Sequence, residues 1–298
     1  MKKIDLDMQI KADSRLVNSA LSGIYSSLDK TNIEEIIDAE MYSLMAGGKR
    51  IRPIITLAFC RLFGGRDEAA IPYACALEMV HTSSLIHDDL PYLDNDTLRR
   101  GRPTNHIVYG EATALLAGDG LLADAFGVAA ANHHVSPKTN VQAISTLASA
   151  AGMCGIVGGQ YIDMIGEKTA YTLDAVKKMY SYKTAAMIRA SAVMGALAAG
   201  VDIDDPKMND VINYSEHIGL VFQIVDDILD VTGNDEMLGK KTGRDKKENK
   251  TTYLKFYSID EAFSQAKELT GRAIESVSKY ENCEFLVALA DFLLNRKH

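Results

Sequence analysis

The chain has 298 residues, of which 47% are hydrophobic and 24% are charged, and its formal net charge is -8. A chain of this length can enclose a deep apolar core, and its composition is typical of a globular protein. The negative charge excludes general binding to nucleic acid or to an anionic membrane, since both need a basic face. An anionic ligand must therefore bind at a local positive site.

The amino terminus and the apolar stretches predict a cytoplasmic protein without a transmembrane segment. The first residues, MKKIDLDMQIKADSR, lack the apolar stretch of a secretory signal. The most apolar long stretch, residues 185–200, contains Arg189 and is shorter than the roughly 20 residues that span a bilayer. The four cysteines are widely spaced, which predicts reduced, mostly buried thiols and neither a disulfide framework nor a zinc site.

Apolar residues recur at intervals of three and four along almost the whole chain, so the fold is predicted to be all-α. In chain order, helices are predicted at about residues 13–28, 33–45, 53–62, 68–90, 112–132, 138–157, 173–199, 206–231, 259–279 and 283–295. Glycines at 47–48, 64–65, 158–159 and 200 lie where helices should end. No linker divides the chain, which favours one domain over residues 1–298. Residues 232–251 are predicted to be a mobile lid or a solvated loop.

Two clusters of aspartates lie at the carboxyl ends of apolar predicted helices. They consist of Asp88, Asp89 and Asp94 in the first cluster and of Asp226, Asp227 and Asp230 in the second. Ionised carboxylates this close together repel one another, and a hard divalent cation relieves the repulsion. A solvated helix end explains one such cluster equally well, but two clusters favour a metal site. Mg²⁺ is favoured over Ca²⁺, since neither cluster has the spacing of a calcium loop and Mg²⁺ combines few carboxylates with phosphate oxygens.

The spacing within each cluster predicts its local structure. Asp226 and Asp230 share a helix face at about 100° per residue, so they can hold one ion together. Asp88 and Asp94 would point in different directions from a continuous helix, because six residues correspond to about 600°. Pro91 breaks a regular helix, since it removes a backbone donor and its ring clashes with the preceding turn. The sequence therefore predicts a turn that brings Asp94 back beside Asp88.

Basic residues near these clusters predict a local anion site. Two glycines precede Lys49, and Arg52 follows three residues later at a predicted helix start, where backbone donors and cations can bind an anion. His81 lies seven residues, about two turns, before Asp88 and therefore on the same helix face. Taken alone, His81 is more typical of a core residue. The remaining polar candidates, each typical of a surface when taken alone, are Arg99, Arg100, Lys183, Thr184, Gln223, Lys240 and Lys250.

These motifs resemble those of the trans-prenyl diphosphate synthases, the family that includes the bacterial-type farnesyl and geranylgeranyl diphosphate synthases. The matching segments are GGKRIRP, ALEMVHTSSLIHDDLPYLDNDTLRRGRPTNH, GDGLL, GGQYID, KT, FQIVDDILDVTG and LGKKTGRDKKENKTTY, in that order. They cover nearly the whole chain, and the first aspartate motif has the two-residue insertion of bacterial-type members. The resemblance implies the isoprenoid synthase fold, a bundle of roughly ten or more helices around a central apolar cavity.

The resemblance also implies a role for each matching residue. Asp88, Asp94 and Asp226 would bind Mg²⁺ ions held by the allylic diphosphate, with Asp89, Asp227 and Asp230 in support. About three Mg²⁺ ions are implied per active site, and Mn²⁺ can replace them. The allylic diphosphate would be held by Arg99, Lys183, Lys240 and Lys250, and the diphosphate of isopentenyl diphosphate by Lys49, Arg52, His81 and Arg100. Thr184 and Gln223 would face the reacting carbons, beside Lys183.

The implied reaction joins isopentenyl diphosphate to dimethylallyl, geranyl or farnesyl diphosphate. Metal ions and cations neutralise the departing pyrophosphate, so that the allylic C–O bond ionises. The double bond of isopentenyl diphosphate then attacks the carbocation, and the bound pyrophosphate accepts the final proton. Closure of residues 232–251 would exclude the water that otherwise quenches the cation.

Product length is expected to depend on residues upstream of the first motif, along which the growing chain would extend. Ser83 and Ser84 lie five and four residues before Asp88, and Val80 lies a further turn back. Bulky aromatic residues at these positions stop chain growth early in the family, and farnesyl-forming bacterial members often have Tyr in place of Ser83. The small side chains therefore predict farnesyl diphosphate, geranylgeranyl diphosphate or both.

Two alternative functions remain open at this stage. A class I terpene cyclase would share the fold and the first motif, but its second metal motif would contain Asn, Ser and Glu. A non-catalytic subunit of a heteromeric prenyl synthase would have lost acidic ligands. Both aspartate clusters are present here, which favours the synthase. The resemblance also implies a homodimer, which helix periodicity does not show.

Overall fold

The computed structural model describes residues 5–166, 171–232 and 251–296, and these residues are predominantly helical, which confirms the all-α prediction. The α-helices are α1 (Leu6–Ser22), α2 (Glu34–Leu44), α3 (Ile51–Leu62), α4 (Asp67–Asp88), α5 (Asn105–Tyr109), α6 (Glu111–Ala130), α7 (Pro137–Ala151), α8 (Ile156–Gly166), α9 (Leu173–Tyr180), α10 (Ala186–Ala198), α11 (Lys207–Thr232), α12 (Ile259–Val277) and α13 (Glu284–Asn295). The short elements are β1 (Leu98–Arg99), β2 (Arg102–Pro103), a π-turn (Ser181–Ala185) and a 3₁₀ turn (Tyr253–Lys255).

The first helix lies further towards the amino terminus than predicted. The side chain of Asp5 accepts a hydrogen bond from the backbone nitrogen of Met8 at 3.1 Å and thereby caps α1. Residues 23–28, which were predicted to be helical, form turns after Gly23. The predicted bounds of 13–28 were wrong because charged residues in the first turns of α1 obscure its apolar face.

The predicted helix at 138–157 is two helices, α7 and α8, separated by a turn at residues 152–155. Helix α8 was not predicted. Gly158 and Gly159 were expected to end a helix, but both lie inside α8. Gly159 is required by packing rather than by its backbone conformation, because a Cβ there would lie 2.5 Å from the Cα of Lys183. The glycine pair therefore marks a close helix contact.

A short antiparallel hairpin, also not predicted, follows the first aspartate cluster. Strand β1 pairs with β2 so that Leu98 faces Pro103 and Arg99 faces Arg102. The two residues between the strands both have positive φ, 52° for Arg100 and 74° for Gly101, as a type I′ hairpin turn requires. The hairpin thus fixes the directions in which successive arginines leave the backbone.

Helix α10 lies at the centre of the main core. Every residue of α10 except Arg189 is buried, and the helix packs against α3, α4, α7 and α11. A smaller apolar cluster joins α9, α11 and α12 around Tyr253. Helix α4, which packs against α3, α6 and α10, is therefore held from several sides and can present side chains in more than one direction.

Two stretches, Glu111–Ala130 and Pro137–Gly166, are long and apolar enough to cross a membrane by length and composition alone. The second stretch is not one helix, since the chain turns between α7 and α8. This is weak evidence for a membrane span, because core helices meet the same test. Three of the four cysteines are buried free thiols, as predicted, and Cys154 is exposed.

Candidate active site

Helix α4 contributes side chains to two large pockets. The first, which we call the basic pocket, has a volume of about 250 Å³ and receives Glu78 and His81 from α4. The second, which we call the apolar cavity, has a volume of about 280 Å³ and receives Val80, Ser83 and Asp88. His81 and Asp88 were expected to share a helix face, yet they line different pockets. The two turns of helix between them are long enough to separate their surroundings.

The basic pocket contains the four side chains that were expected to bind the diphosphate of isopentenyl diphosphate. Lys49 and Arg52, at the start of α3, line it together with His81 and with Arg100 of the hairpin. Lys49 Nζ lies 5.7 Å from the centre of the Phe292 ring of α13. The structure therefore brings residues from the start of α3, from α4 and from the hairpin to one place.

Crowding of cations gives this pocket its electrostatic character. Burial lowers the pKa of the Arg52 guanidinium, and neighbouring Arg100 lowers it further. Burial and Arg296 likewise lower the pKa of Lys49. The pKa of His81 is well below its usual range because the ring is buried and faces Arg52 and Arg100, so its imidazole is neutral near physiological pH. A bound anion would relieve this repulsion.

Arg296, which follows α13, lines the same pocket and was missed from the sequence. It donates to Asp226 at 2.5 Å with its side chain only 8% exposed, and its guanidinium lies 3.8 Å from the centre of the Phe222 ring. In the described part of the chain, the Nε atoms of Arg296 and Arg52 are buried without a hydrogen-bond partner. Buried donors are nearly always paired. Two unpaired donors at one pocket therefore indicate a place for acceptor atoms.

The hairpin reaches the basic pocket through Arg100. Its guanidinium donates to the backbone oxygen of Gly47 and lies against Gly48, where a Cβ would be 2.7 Å from Arg100 Cζ. Gly48 also has a φ of 110°, which side chains disfavour. Gly48 therefore permits the approach of Arg100, beyond its part in the turn after α2.

The first aspartate cluster forms as its spacing predicts. Helix α4 ends at Asp88, and the backbone nitrogen of Asp94 donates to the backbone oxygen of Asp88 at 2.8 Å. The turn containing Pro91 thus brings Asp94 back beside Asp88. Burial raises the pKa of Asp88 to about 6. The nearby Lys183 opposes this rise, and Asp94 adds to it. A divalent cation would stabilise both carboxylates in their ionised form.

Asp89 and Arg99 form an ion pair beside this cluster. Arg99 donates to Asp89 Oδ1 through Nη2 at 2.6 Å and through Nε at 2.8 Å, and Asp89 is 3% exposed. Asp96 lies 3.5 Å from the same Nη2. To bind a diphosphate, Arg99 would therefore have to divide its donors between the diphosphate and these two carboxylates.

Lys183 and Thr184 lie in the π-turn, an irregularity that is frequent at functional sites. Lys183 Nζ pairs with Asp163 of α8 at 2.5 Å. The Thr184 hydroxyl donates to Gln223 Oε1 of α11. The structure thus brings together the three residues that were expected near the reacting carbons. Asp163 was not predicted as a site residue, although it lies in the GGQYID segment.

Two glycines allow the neighbouring helices to touch the π-turn. Gly159 of α8 lies against the backbone of Lys183, and a Cβ at Gly219 of α11 would be 2.7 Å from the Cα of Ala185. Larger residues at either position would push the turn away. The position of Lys183 is therefore fixed by backbone packing as well as by its ion pair.

The members of the second aspartate cluster have different surroundings. Asp226 forms an ion pair with Arg296, which lines the basic pocket. Asp227 is buried, and its Oδ2 accepts from the Tyr180 hydroxyl at 2.5 Å and from the Tyr253 backbone nitrogen at 2.8 Å. Asp227 therefore joins α11 to α9 and to the 3₁₀ turn. Asp230 follows Asp226 by one helical turn and is half-buried.

The apolar cavity is bounded by α4, by Leu122 of α6 and by α8. The three residues expected to set product length, Val80, Ser83 and Ser84, all line it. Gln160 of α8 also lines it, and its buried Oε1 has no hydrogen-bond partner among the described residues. Asp88 lies at the end of α4, so the cavity begins at the first aspartate cluster and continues along small side chains.

Within the described ranges, no three acidic, histidine or cysteine side chains form a group that could hold a metal ion alone. The neighbouring carboxylates of Asp88 and Asp94 suit Mg²⁺, which is commonly bound through one or two carboxylates plus waters and substrate phosphates. The joint action of both aspartate clusters on one substrate stays a prediction. Lys240, Lys250 and residues 233–250 of the expected lid lie outside the described residues.

Comparisons with known proteins indicate the same family as the sequence motifs do. A family model described as polyprenyl synthetase matches residues 33–288. The chain is 47% identical over 275 residues to a geranylgeranyl diphosphate synthase of Cyanophora paradoxa, covering 91% of each protein. It is 43% identical over 290 residues to a chloroplastic geranylgeranyl pyrophosphate synthase of Catharanthus roseus, covering 96% of this chain and 79% of that protein. The crystal structure of an FPP/GFPP synthase from Zymomonas mobilis superposes with a TM-score of 0.87 at 30% identity, covering 97% and 99% of the two chains.

Proposed function

Because the chain belongs to the polyprenyl synthetase family, we propose that it is a short-chain trans-prenyl diphosphate synthase. It condenses isopentenyl diphosphate with dimethylallyl, geranyl or farnesyl diphosphate and releases pyrophosphate. The observation that carries this proposal is the basic pocket and the apolar cavity along one helix, α4, with carboxylates at the end of that helix. Such an arrangement suits two diphosphates and one hydrocarbon chain.

Isopentenyl diphosphate binds in the basic pocket. Lys49, Arg52 and Arg100 supply positive charge, and neutral His81 can donate one ring N–H. The unpaired Nε donors of Arg52 and Arg296 support this location. Arg296 is therefore added to the expected set.

The family is generally Mg²⁺-dependent. The neighbouring carboxylates of Asp88 and Asp94 fit this ion, as does the partly exposed carboxylate of Asp226. Asp89, Asp227 and Asp230 act in support: Asp89 through Arg99, and Asp227 by fixing α11. When bound, about three Mg²⁺ ions, or Mn²⁺ in their place, neutralise charge on the departing pyrophosphate. On the protein side, the allylic diphosphate is held by Arg99, Lys183, Lys240 and Lys250.

The carbocation that forms is stabilised by fixed dipoles. The Thr184 hydroxyl donates to Gln223, an orientation that leaves the lone pairs of the threonine oxygen for a developing positive charge. Lys183 keeps the leaving group close from the same turn. Bound pyrophosphate accepts the final proton, so no protein base is required.

The product is farnesyl diphosphate, geranylgeranyl diphosphate or both. Val80, Ser83 and Ser84 leave the cavity open beside α4, and an elongating chain can enter it from Asp88. The two relatives described above are named for the longer of these products, which favours geranylgeranyl diphosphate. A terpene cyclase is not favoured, since it would not need the basic pocket. A silent subunit is not favoured, since both aspartate clusters are present.

We further propose that residues 1–298 act as one unit and that the chain forms a cytoplasmic homodimer. Helices α6, α7 and α8 carry exposed apolar side chains, including Leu116, Val141 and Tyr161, which are 54%, 67% and 57% exposed. Apolar surface of this kind is typical of an interface. A second copy would cover it.

Incubation with labelled isopentenyl diphosphate, Mg²⁺ and each allylic primer in turn tests the proposed function. Chromatography of the dephosphorylated products should show farnesol, geranylgeraniol or both, with release of pyrophosphate. Geraniol alone, or chains longer than geranylfarnesol, would contradict the proposed product range. A cyclic hydrocarbon formed without isopentenyl diphosphate would identify a cyclase instead.

A further inference from the structure

An ion pair at the back of the basic pocket has no role in the reaction proposed above. Arg50 Nη1 lies 2.5 Å from Glu78 Oε1, and the two side chains are 0% and 3% exposed. Arg50 is the residue between Lys49 and Ile51, so it lies inside the segment that carries Lys49 and Arg52. Glu78 lies three residues before His81 on α4. The pair therefore connects the two walls that hold the pocket's cations.

The guanidinium of Arg50 joins four helices. Besides Glu78 of α4, it donates through Nε to Asn18 Oδ1 of α1 at 2.9 Å and through Nη2 to the Leu44 backbone oxygen of α2 at 2.6 Å. Its own backbone begins α3. A fully buried arginine with this many separate acceptors occupies one position only, since any movement would leave charged donors unpaired.

The backbone of Arg50 is also unusual. It has a φ of 51° and a ψ of 36°, the left-handed conformation, which is uncommon for residues other than glycine. Such a conformation persists where the surroundings determine it and is frequent at binding sites. Here it turns the chain between Lys49 and the first turn of α3. The side-chain contacts of Arg50 are the groups that hold this turn.

We infer that Arg50 and Glu78 are positioning residues for the diphosphate of isopentenyl diphosphate. Neither needs to touch the ligand: the pair fixes the segment 49–52 against α4, so that Lys49, Arg52 and His81 converge on one anion. This inference rests on the proposed function, because it assigns the basic pocket to isopentenyl diphosphate. It predicts an effect on this substrate and none on the allylic substrate.

One substitution distinguishes positioning from simple electrostatics, because the two roles predict opposite changes in the affinity for isopentenyl diphosphate. Glu78 lines the basic pocket and interacts electrostatically with Arg52 and Arg100. If it acted by charge alone, Glu78→Gln would remove a negative charge from an anion site and tighten the binding of isopentenyl diphosphate. If it positions Arg50, the same change weakens binding, because the buried guanidinium loses its counter-ion and the segment shifts.

A double substitution keeps the test valid if Glu78→Gln fails to fold. Arg50→Met with Glu78→Leu replaces both charges by apolar side chains of similar volume, which often preserves stability. The matched control is Arg61→Met with Asp13→Leu. Arg61 lies at the opposite end of α3 and pairs with Asp13, which is 2% exposed in its side chain, at 2.8 Å. The control removes this pair and the second pair of Arg61, with the partly exposed Asp67, from the same helix, away from the pocket.

The measurement is calorimetric titration of each folded variant with isopentenyl diphosphate alone, followed by steady-state kinetics. We expect Glu78→Gln and the Arg50→Met/Glu78→Leu protein to bind at least 10-fold more weakly than wild type. The KM for isopentenyl diphosphate should rise, while kcat and the KM for the allylic diphosphate stay within about 2-fold. The control pair should leave the dissociation constant unchanged.

Three results would overturn the inference: tighter binding by Glu78→Gln, wild-type affinity in the double variant, or equal weakening in the control pair. Arg52→Gln, titrated in parallel, separates this failure from failure of the proposed function. If Arg52→Gln binds isopentenyl diphosphate as wild type does, or if the wild-type protein does not bind it, the basic pocket is not its site and both proposals fall. If Arg52→Gln loses binding but the double variant keeps it, only the positioning inference fails.

Discussion

The basic pocket and the apolar cavity have nearly the same volume, about 250 and 280 Å³, but they are built differently. The basic pocket consists of long charged side chains held by partners, such as the Arg50–Glu78 and Arg296–Asp226 pairs. The apolar cavity depends on the small size of Ser83 and its neighbours. Binding a charge thus depends on the positions of a few atoms, whereas binding a hydrocarbon depends on total space. Substitutions in the basic pocket should therefore weaken anion binding, whereas substitutions in the apolar cavity should change the length of hydrocarbon that fits.

The largest effect is expected for Arg52→Gln in the basic pocket. Removing one charge from a desolvated ion-binding site costs about 2 to 5 kcal/mol, so kcat/KM for isopentenyl diphosphate should fall by about 30-fold to 5,000-fold. Product length should not change. Steady-state kinetics with varied isopentenyl diphosphate checks this, with Arg61→Gln at the far end of α3 as the control. An unchanged KM in Arg52→Gln would contradict the comparison between the two pockets.

A smaller loss is expected for Gly159→Ala, which adds one methyl group where α8 meets the π-turn. The added Cβ would overlap the Lys183 backbone, so the turn must move. Misplacing a catalytic group by about 1 Å can cost about 100-fold in rate, and we expect kcat to fall by about 10-fold to 100-fold. The control is Gly127→Ala in α6, where a Cβ meets nothing within 4 Å. Wild-type kcat in Gly159→Ala would show that the turn tolerates displacement.

Ser83→Tyr should change the product more than the rate. The aromatic ring would fill part of the apolar cavity beside α4, so that chain growth stops earlier. Chromatography should show a shift towards farnesol and geraniol, while kcat/KM for dimethylallyl diphosphate stays within a few-fold of wild type. Ser83→Ala, which removes the hydroxyl without adding volume, should leave product length unchanged. A product of wild-type length from Ser83→Tyr would mean that the growing chain does not pass Ser83.

The smallest effect is expected away from both pockets, at Glu40 of α2. Burial raises its pKa to about 7, and nearby Asp124 adds to the rise, whereas Tyr25 opposes it. The folded state therefore prefers the protonated acid, and stability is lost as pH rises from the ordinary pKa of the acid through about 7. After allowance for screening by solvent, the free energy of unfolding should fall by about 1 to 2 kcal/mol, which corresponds to a few degrees in Tm.

Thermal unfolding of wild type and Glu40→Gln at several pH values measures this contribution. The difference in Tm between the two proteins should grow in favour of Glu40→Gln as pH rises from 5 to 8. Initial rates with both substrates should change little, because Glu40 packs against Gly120 of α6 and not in either pocket. A constant difference in Tm across this range would show that Glu40 is ionised in the folded protein.

Features that depend on local spacing could be predicted from the sequence. The apolar periodicity gave the helical fold, and the position of Pro91 gave the turn that returns Asp94 to Asp88. The approach of Lys49 and Arg52 to one pocket followed from their spacing at a helix start. In each case the residues that meet are neighbours along the chain, so geometry within one or two helical turns was sufficient.

Features that depend on long-range packing could not be predicted in this way. Arg296 reaches Asp226 across 70 residues, and no periodicity indicates that contact. Asp163 acquires its partner Lys183 only once α8 packs on the π-turn. Gly159 carried the pattern of a helix end, because a glycine required by close packing looks the same in sequence as one required by positive φ. The hairpin turn at Arg100 was hidden by a non-glycine residue in a left-handed conformation.

The π-turn allows α9 and α10, which follow one another along one helical rod, to contribute side chains to two separate apolar clusters. An additional residue per turn rotates everything after Ala185 by about 100° relative to an uninterrupted α-helix. The buried side chains of α9 belong to the smaller cluster with Tyr253, whereas those of α10 belong to the main core. Deleting one residue from Ser181–Ala185 would restore a regular phase and could satisfy only one of these clusters. The irregular turn therefore allows both apolar clusters to be fully packed, while Lys183 and Thr184 of the turn lie in the candidate active site.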